Sequence, residues 1–310
     1  MPALHATTVI LLAVALDLLL GDPPNRMHPV AWIGRLLAAG RRGLCHGRAW
    51  RLLLSGGALT LAVTALAAAA GALAAGLAAA LGPAGVVVEA AALKATISPR
   101  GLVSAVRSVG GALARGALDE ARALLGLHLV SRPAAALAAG EIASGAVESV
   151  AENLTDAVVA PVAFYLVLGL PGALAYRALN TADAMLGYRE GPLEHFGKLA
   201  ARLDDLANLL PARVAALAIV AAAGRRSRAA WSIMSRDRAR TSSPNAGWTM
   251  SAMAGALAVT LVKPTAYHLG DGPLPGHAEI ERSIPLFWRA ATLAIAALLT
   301  LHALMRNALL

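Results

Sequence analysis

The sequence predicts an all-α, polytopic integral membrane protein, and three observations carry that prediction. The 310-residue chain is 58% hydrophobic and only 15% charged, whereas soluble domains are about one quarter charged. Residues 52–81, "LLLSGGALTLAVTALAAAAGALAAGLAAAL", run for thirty positions without a charge. Further apolar runs follow, and the polar residues gather into islands between them rather than alternating with them.

Taken in order, the run 9–20 is short and carries Asp17. Roughly 20 apolar residues cross a bilayer as a helix, so 52–81 is a span. The turn "GPAG" then predicts a hairpin, with 86–93 as a return arm that carries Glu89. Residues 157–176 are interrupted by Pro161, Gly169, Pro171 and Gly172; they suit a re-entrant or protein-buried helix as well as a crossing one. The run 214–223 spans only by borrowing residues around Pro211, and 246–262 and 290–305 are just long enough. The expectation is four to six membrane-embedded helices with essentially no sheet, and amphipathic helices and loops forming a cytoplasmic face. No composition break or internal repeat divides the chain, so residues 1–310 read as one domain. The N-terminus does not read as a cleavable signal, because no basic residue precedes its apolar run and no small-residue cleavage site follows. The single cysteine, Cys45, excludes an internal disulfide.

The net charge of +9 has a topological reading. Arg26, Arg35, Arg41, Arg42, Arg48 and Arg51 lie between the first two apolar runs, and a second basic stretch runs from Lys94 to Arg132 and a third from Arg225 to Arg240. The positive-inside rule places these in the cytoplasm, with the membrane lipid itself as a partner. No nucleic-acid motif or aromatic-interleaved basic patch accompanies the charge, so no nucleic acid is expected. "GPLEHFGK" is not a phosphate loop, since its glycines are one residue too far apart and Leu follows the lysine.

Four islands hold the candidate chemistry. In the first, Glu141, Glu148, Glu152 and Asp156 fall within about 80° of one another on an ideal helix, and no Lys or Arg occurs between Arg132 and Arg177. Carboxylates four apart repel on an isolated helix. The stripe therefore reads either as an acidic face balanced elsewhere in the fold or as a seat for Mg²⁺ and a metal-bound polyphosphate, with Asn153 beside it. In the second, Asn180 and Asp183 are three apart and share a helix face. In the third, Asp204 aligns with Asn208 while Asp205 points elsewhere, within reach of Arg202. In the fourth, Ser243 as N-cap and Pro244 at the first helical position start a helix. The same loop also offers Ser242, Ser243 and Asn245 to a phosphate, with Arg240 among the cations just before it. A proline-rigid loop, "GDPPNRMHPV", adds Asp22 and His28.

The motifs "GDPPNRMHPVAWIGR", "ESVAENLTDAVVAPVAFYLVLG", "ALNTADAMLGY", "ARLDDLANLLPAR" and "SSPNAGWTMSAMAGAL" occur in this order. With them the chain resembles the adenosylcobinamide-phosphate synthase family (cobalamin biosynthesis protein CobD/CbiB), over about residues 16–288. It departs from that family at Ser131-Arg132-Pro133-Ala134, where the family usually reads Gly-Arg-Asp-Thr, and at Ala184, where the family has Ser.

The resemblance implies a multi-pass enzyme of the cell (inner) membrane with a cytoplasmic catalytic face. It would join adenosylcobyric acid, a corrinoid, to (R)-1-amino-2-propanol O-phosphate or a related phosphorylated amino alcohol or threonine phosphate, using ATP and Mg²⁺. Other membrane enzymes of the pathway would be partners. Glu148, Glu152, Asn153, Asp156, Asn180, Asp183, Asp204 and Asp205 are the candidates for metal and acid–base work, with Glu152, Asp156, Asp204 and Asp205 as metal ligands. Arg202, Asn208, Arg240, Ser242, Ser243, Asn245, Asp22 and His28 are the candidates for ligand binding. The rival readings are a transporter or receptor for an anionic solute and a non-catalytic relative that keeps the fold.

Overall fold

The structure is a computed structural model that describes residues 2–130 and 133–308. In chain order the helices begin with α1 (Pro2–Leu20), α2 (Pro29–Leu44), α3 (Ala49–Ala80) and α4 (Gly85–Lys94). Next come α5 (Pro99–Ala114), α6 (Leu118–His128), α7 (Ala139–Leu154), α8 (Ala160–Leu186), α9 (Leu193–Phe196) and α10 (Lys198–Ala207). Last are α11 (Leu209–Ala222), α12 (Ser227–Asp237), α13 (Ala246–Leu257) and α14 (His277–Ala308). Contacts group the described residues into two compact units. The first takes the chain up to Ser98, Ala160–Asn208 and the stretch from Leu298; the second takes Pro99–Val159 and Leu209–Ala297.

In the first unit α3 packs along α8, with α2, α9 and α10 around the pair. Ile33, Leu37, Val63, Ala182, Leu186 and Phe196 form the core between them. Small residues on α3 allow this approach. A Cβ at Gly56 would lie 1.9 Å from the Phe196 carbonyl oxygen, and one at Gly71 would lie 2.7 Å from that of Leu170. Backbones that pass this closely are a usual way for helices to associate in lipid. The other side of α3 exposes Leu54, Leu61, Leu66 and Leu73. The predicted hairpin forms, with α4 returning against α3. In α8 the helix breaks only at Gly169 (φ 66°, ψ −161°), two residues before Pro171; Pro161 and Gly172 stay within helical backbone.

Three helical stretches are long and apolar enough to cross a membrane: α3, the continuous run Ala139–Leu186, and α14. The pair α10 and α11, bent by 50°, would make a fourth, and Leu4–Leu20 within α1 is a shorter apolar helix. The chain is therefore an all-α polytopic membrane protein, as predicted.

The second unit corrects one expected span. The apolar run 246–262 is helical only as α13, because Ala258 turns left-handed (φ 63°) and ends the helix. The chain then enters a short antiparallel hairpin, β1 (Leu261–Lys263) and β2 (Tyr267–Leu269), with Val262 opposite His268. Every residue of α13 except Trp248 is buried, and α7, α11 and α12 pack around it. A helix that is apolar on all sides is read as buried. Here protein, not lipid, covers it.

Candidate functional site

In the first unit, α8 and α10 bring Asn180, Asp204 and Asn208 together. Asp204 is only 8% exposed. One carboxylate oxygen accepts from Asn180 Nδ2 at 3.3 Å and the other from Asn208 Nδ2 at 3.0 Å. The Tyr176 hydroxyl donates to Asn208 Oδ1 at 2.9 Å, and Arg177 Nη1 donates to Asn180 Oδ1 at 3.4 Å. Arg177 Nε is buried without a hydrogen-bond partner among the described residues. Asp204 makes no ion pair among the described residues, so a desolvated carboxylate is held by amides rather than neutralised. The predicted alignment of Asp204 with Asn208 is realised, and Asn180 also faces Asp204. Asp183 sits at the end of α8, beside Gly187. Asp205 and Arg202 line a separate cavity and form no ion pair with each other among the described residues.

The loop residues Asp22 and His28 are engaged within the same unit. Lys94 Nζ lies 2.5 Å from Asp22 and 3.6 Å from Asp17, and Ser98 donates to Asp22 as well. His28 Nδ1 accepts from the Val30 amide at 3.2 Å, capping α2, while its Nε2 is 3.4 Å from Asp22. Burial pushes the Asp22 carboxyl up, but hydrogen bonds from His28, Lys94 and Ser98 and the Lys94 charge outweigh it and hold it well below the usual carboxylate range. These contacts tie the loop to the end of α4. Lys94 escaped notice in the sequence because its partners lie more than 70 residues away.

In the second unit the four acids of the stripe take different surroundings: three lie on α7 and Asp156 in the turn after it. Glu141 reaches back to accept from the Ala138 amide at 2.7 Å and caps α7. Glu148 is 6% exposed and takes hydrogen bonds from Ser144 (2.7 Å) and the Tyr267 hydroxyl (3.0 Å). Since Ser144 also accepts from the Val262 amide at 2.6 Å, Glu148 anchors the β-hairpin to α7. Asn153 donates to its own helix at the Ser149 carbonyl. Glu152 is exposed, and Asp156 is half-buried in a π-helical turn, Thr155–Val159. That turn has more residues than an α-turn and rotates Asp156 off the ideal register. Pro161 just beyond it has no amide to bond the Ala157 carbonyl, which favours such a turn. Single π-turns recur at functional sites. No three His, Cys, Asp or Glu side chains among the described residues are placed to hold a metal by themselves.

The serine loop also lies in the second unit. Ser243 Oγ accepts from the Asn245 amide at 3.2 Å and the Ala246 amide at 3.4 Å, but α13 begins at Ala246 with Asn245 in the N-cap position, two residues later than predicted. Ser242 is exposed. Arg213 Nη1 donates to Asn245 Oδ1 at 2.5 Å. The guanidiniums of Arg213 and Arg238 sit 4.7 and 4.8 Å from the Trp248 ring centre. Arg240 belongs elsewhere: it pairs with the fully buried Asp237 at 3.1 Å. Arg236 contacts Asp237 and Asp271, both at 2.7 Å. Burial pushes Asp237 up, but Arg236, the Gly270 amide and Arg240 prevail and lower it. Hydrogen bonds to Asp237 and Asp271 hold Arg236 above its ordinary value. Of the three arginines before the loop, it is therefore Arg238 that turns to the start of α13, joined by Arg213. Both were visible in the motifs, but nothing local said which would turn inward. Of the departures noted above, Ser131 and Arg132 lie outside the described residues, Pro133 is exposed, and the Ala184 carbonyl accepts from the Tyr188 hydroxyl at 2.8 Å.

Comparison with known proteins places these residues in context. The family model described as CobD/Cbib protein matches residues 10–294. The chain is 44% identical over 270 residues to the cobalamin biosynthesis protein CobD of Geobacter metallireducens, covering 85% of this chain and 83% of the relative. It is 38% identical over 304 residues to CobD of Klebsiella pneumoniae, covering 91% and 92%. To the cobalamin biosynthesis protein CbiB of Salmonella paratyphi B it is 37% identical over 303 residues, covering 92% and 94%. No solved structure matches.

Proposed function

The chain belongs to the CobD/CbiB protein family of cobalamin biosynthesis, and from that premise we propose that it is an ATP-dependent ligase making adenosylcobinamide phosphate. It joins a carboxyl group of adenosylcobyric acid to the amine of (R)-1-amino-2-propanol O-phosphate or a close analogue. The observation that supports this most is Asp204, a carboxylate kept from water by α8 and α10 and fixed by two amides without a neutralising cation.

A free carboxylate does not acylate amines. Its oxygen attacks the γ-phosphorus of ATP, ADP leaves, and an acyl phosphate forms. The amine nitrogen then attacks the acyl carbon, and inorganic phosphate leaves with the C–O bonding pair. The attacking amine must first lose a proton, and a positioned carboxylate is suited to take it; Asp204 is assigned that role. Asn180 and Asn208 hold both of its oxygens in place, so it is a pre-oriented acceptor. Arg213 and Arg238, with the start of α13, offer cationic charge to a polyphosphate. Mg²⁺ usually takes one or two carboxylates plus substrate phosphates, and the exposed Glu152 with Asp156 one turn on fits that donor set; when bound, the ion would neutralise phosphate charge there. The basic loops support a cytoplasmic catalytic face, the side where ATP is supplied.

Full-length protein in detergent, given adenosylcobyric acid, the amine phosphate and Mg²⁺-ATP, should yield the new amide with one ADP and one phosphate per bond. AMP with pyrophosphate would replace the acyl phosphate by an acyl adenylate. Absence of amide from folded protein would defeat the ligase reading.

A further inference from the structure

The end of α8, the short helix α9 and the start of α10 enclose a polar cavity of about 210 Å³ within the first unit. Tyr188, Arg189, Glu194, Lys198, Arg202 and Asp205 line it. Two glycines let its walls meet. A Cβ at Gly197 would lie 1.8 Å from the Leu186 carbonyl oxygen, and one at Gly187 would lie 2.0 Å from Asp183 Oδ1.

Some arginines elsewhere pair with nearby acids, as Arg115 does with Glu120, Arg122 with Asp119 and Arg236 with Asp237. Among the described residues, Arg189, Lys198 and Arg202 form no ion pair. Three cations against two carboxylates leave the lining with one positive charge in excess, which favours an anion. The start of α10 adds its amide dipole, and no side chain caps it. Two carboxylates on the same lining, Glu194 and Asp205, offer a place for a cation as well.

We propose that this cavity seats the small phosphorylated amine, with Arg189, Lys198 and Arg202 on its phosphate and Glu194 and Asp205 on its ammonium. The assignment rests on the ligase reading and adds where the smaller substrate binds. The lining supports it: the cations suit a phosphate, and the carboxylates beside them suit an ammonium a few atoms away. Leu193 and Ala201 supply the short apolar strip that the carbon chain needs.

The test is equilibrium dialysis of the full chain in phosphatidylcholine nanodiscs with radiolabelled (R)-1-amino-2-propanol O-phosphate, without ATP or corrinoid. Arg189→Gln, Lys198→Gln and Arg202→Gln should each raise Kd at least ~10-fold, the scale of one lost charge-assisted hydrogen bond. Lys198→Arg should keep most of the affinity. Glu194→Gln should weaken the amine phosphate while leaving propanol phosphate, which has no ammonium, unchanged. All three cations are exposed, so the variants should fold. Wild-type Kd in all three glutamine variants would overturn the assignment. So would loss of binding in nanodiscs of phosphatidylethanolamine, which would give the cavity to a lipid headgroup. If wild-type protein makes the amide while these variants keep its Kd and KM, the seat is wrong and the ligase reading stands. If the variants lose binding as expected but wild type makes no amide, the ligase reading fails and the seat stands.

Discussion

Two stretches of this chain are equally apolar and behave differently. The helix α3 and the run Ala139–Leu186 have the same mean hydropathy over their most apolar stretches, yet 22% of residues are buried in the first and 56% in the second. In α3, Gly56 and Gly71 meet protein, while Leu54, Leu61, Leu66 and Leu73 are exposed on the other side. The longer run carries Glu148, Glu152, Asp156, Asn180 and Asp183, a π-turn and the Gly169 break. Apolarity in α3 answers to lipid. In Ala139–Leu186 much of it answers to protein, and that cover allows polar side chains and broken helical backbone.

The largest effect expected from breaking this contrast is on chemistry. Asp204→Asn leaves the packing of α8 against α10 in place but removes the proton acceptor, so turnover should fall ~1000-fold, within the range for general acid–base groups. Circular dichroism and detergent melting should match wild type. Near-normal turnover would return Asp204 to a structural role.

Next come the acids of the longer run. Glu152→Gln and Asp156→Asn should each insert normally and lose ~100-fold in turnover, the scale of a lost preorganised electrostatic group. Raising Mg²⁺ should restore part of that activity if they hold the ion, and the double mutant should lose less than the product of the single losses. Full activity in both would make the region a solvated face.

The two sides of α3 can be separated directly. Leu61→Arg puts a charge on the leucine side at a cost of about 3 kcal/mol at a bilayer centre, so membrane-inserted yield should drop. Gly56→Ala should insert fully but melt earlier, by about 1–3 kcal/mol of overpacking against Phe196. If Leu61→Arg inserts as well as wild type, that side of α3 does not face lipid.

The smallest effect concerns Ser243→Ala. Its Oγ accepts from the Asn245 and Ala246 amides, so a loss of about 1 kcal/mol is expected, measured by thermal melting. The KM for ATP should rise beyond this only if the loop also holds phosphate. No change in melting would show that these bonds do not stabilise the turn.

How much of this was legible in the sequence depended on distance along the chain. The α3 span, its hairpin with α4 and the Asp204–Asn208 pair all follow from spacings of a few residues, where helix geometry is reliable. Longer stretches were less legible. The acidic stripe presumed 100° per residue through Asp156, where the structure has a π-turn, and Glu141 turns back to cap its own helix. The expected span 246–262 ended at Ala258, whose left-handed backbone has no signature in an alanine. Partners far apart were out of reach altogether. Tyr267 meets Glu148 across 119 residues, and Lys94 meets Asp22 across 72. Only the folded chain shows that Arg240 serves Asp237 while Arg213 and Arg238 flank Trp248.

The role given to Asp204 is tested most directly by measuring ADP release and amide formation together in Asp204→Asn. Acyl phosphate formation does not need a proton acceptor for the amine, whereas amide formation does. The account predicts that amide formation falls ~1000-fold while corrinoid-dependent ADP release continues, with the acyl phosphate lost to water. Parallel loss of both, or amide formation at the wild-type rate, would contradict it.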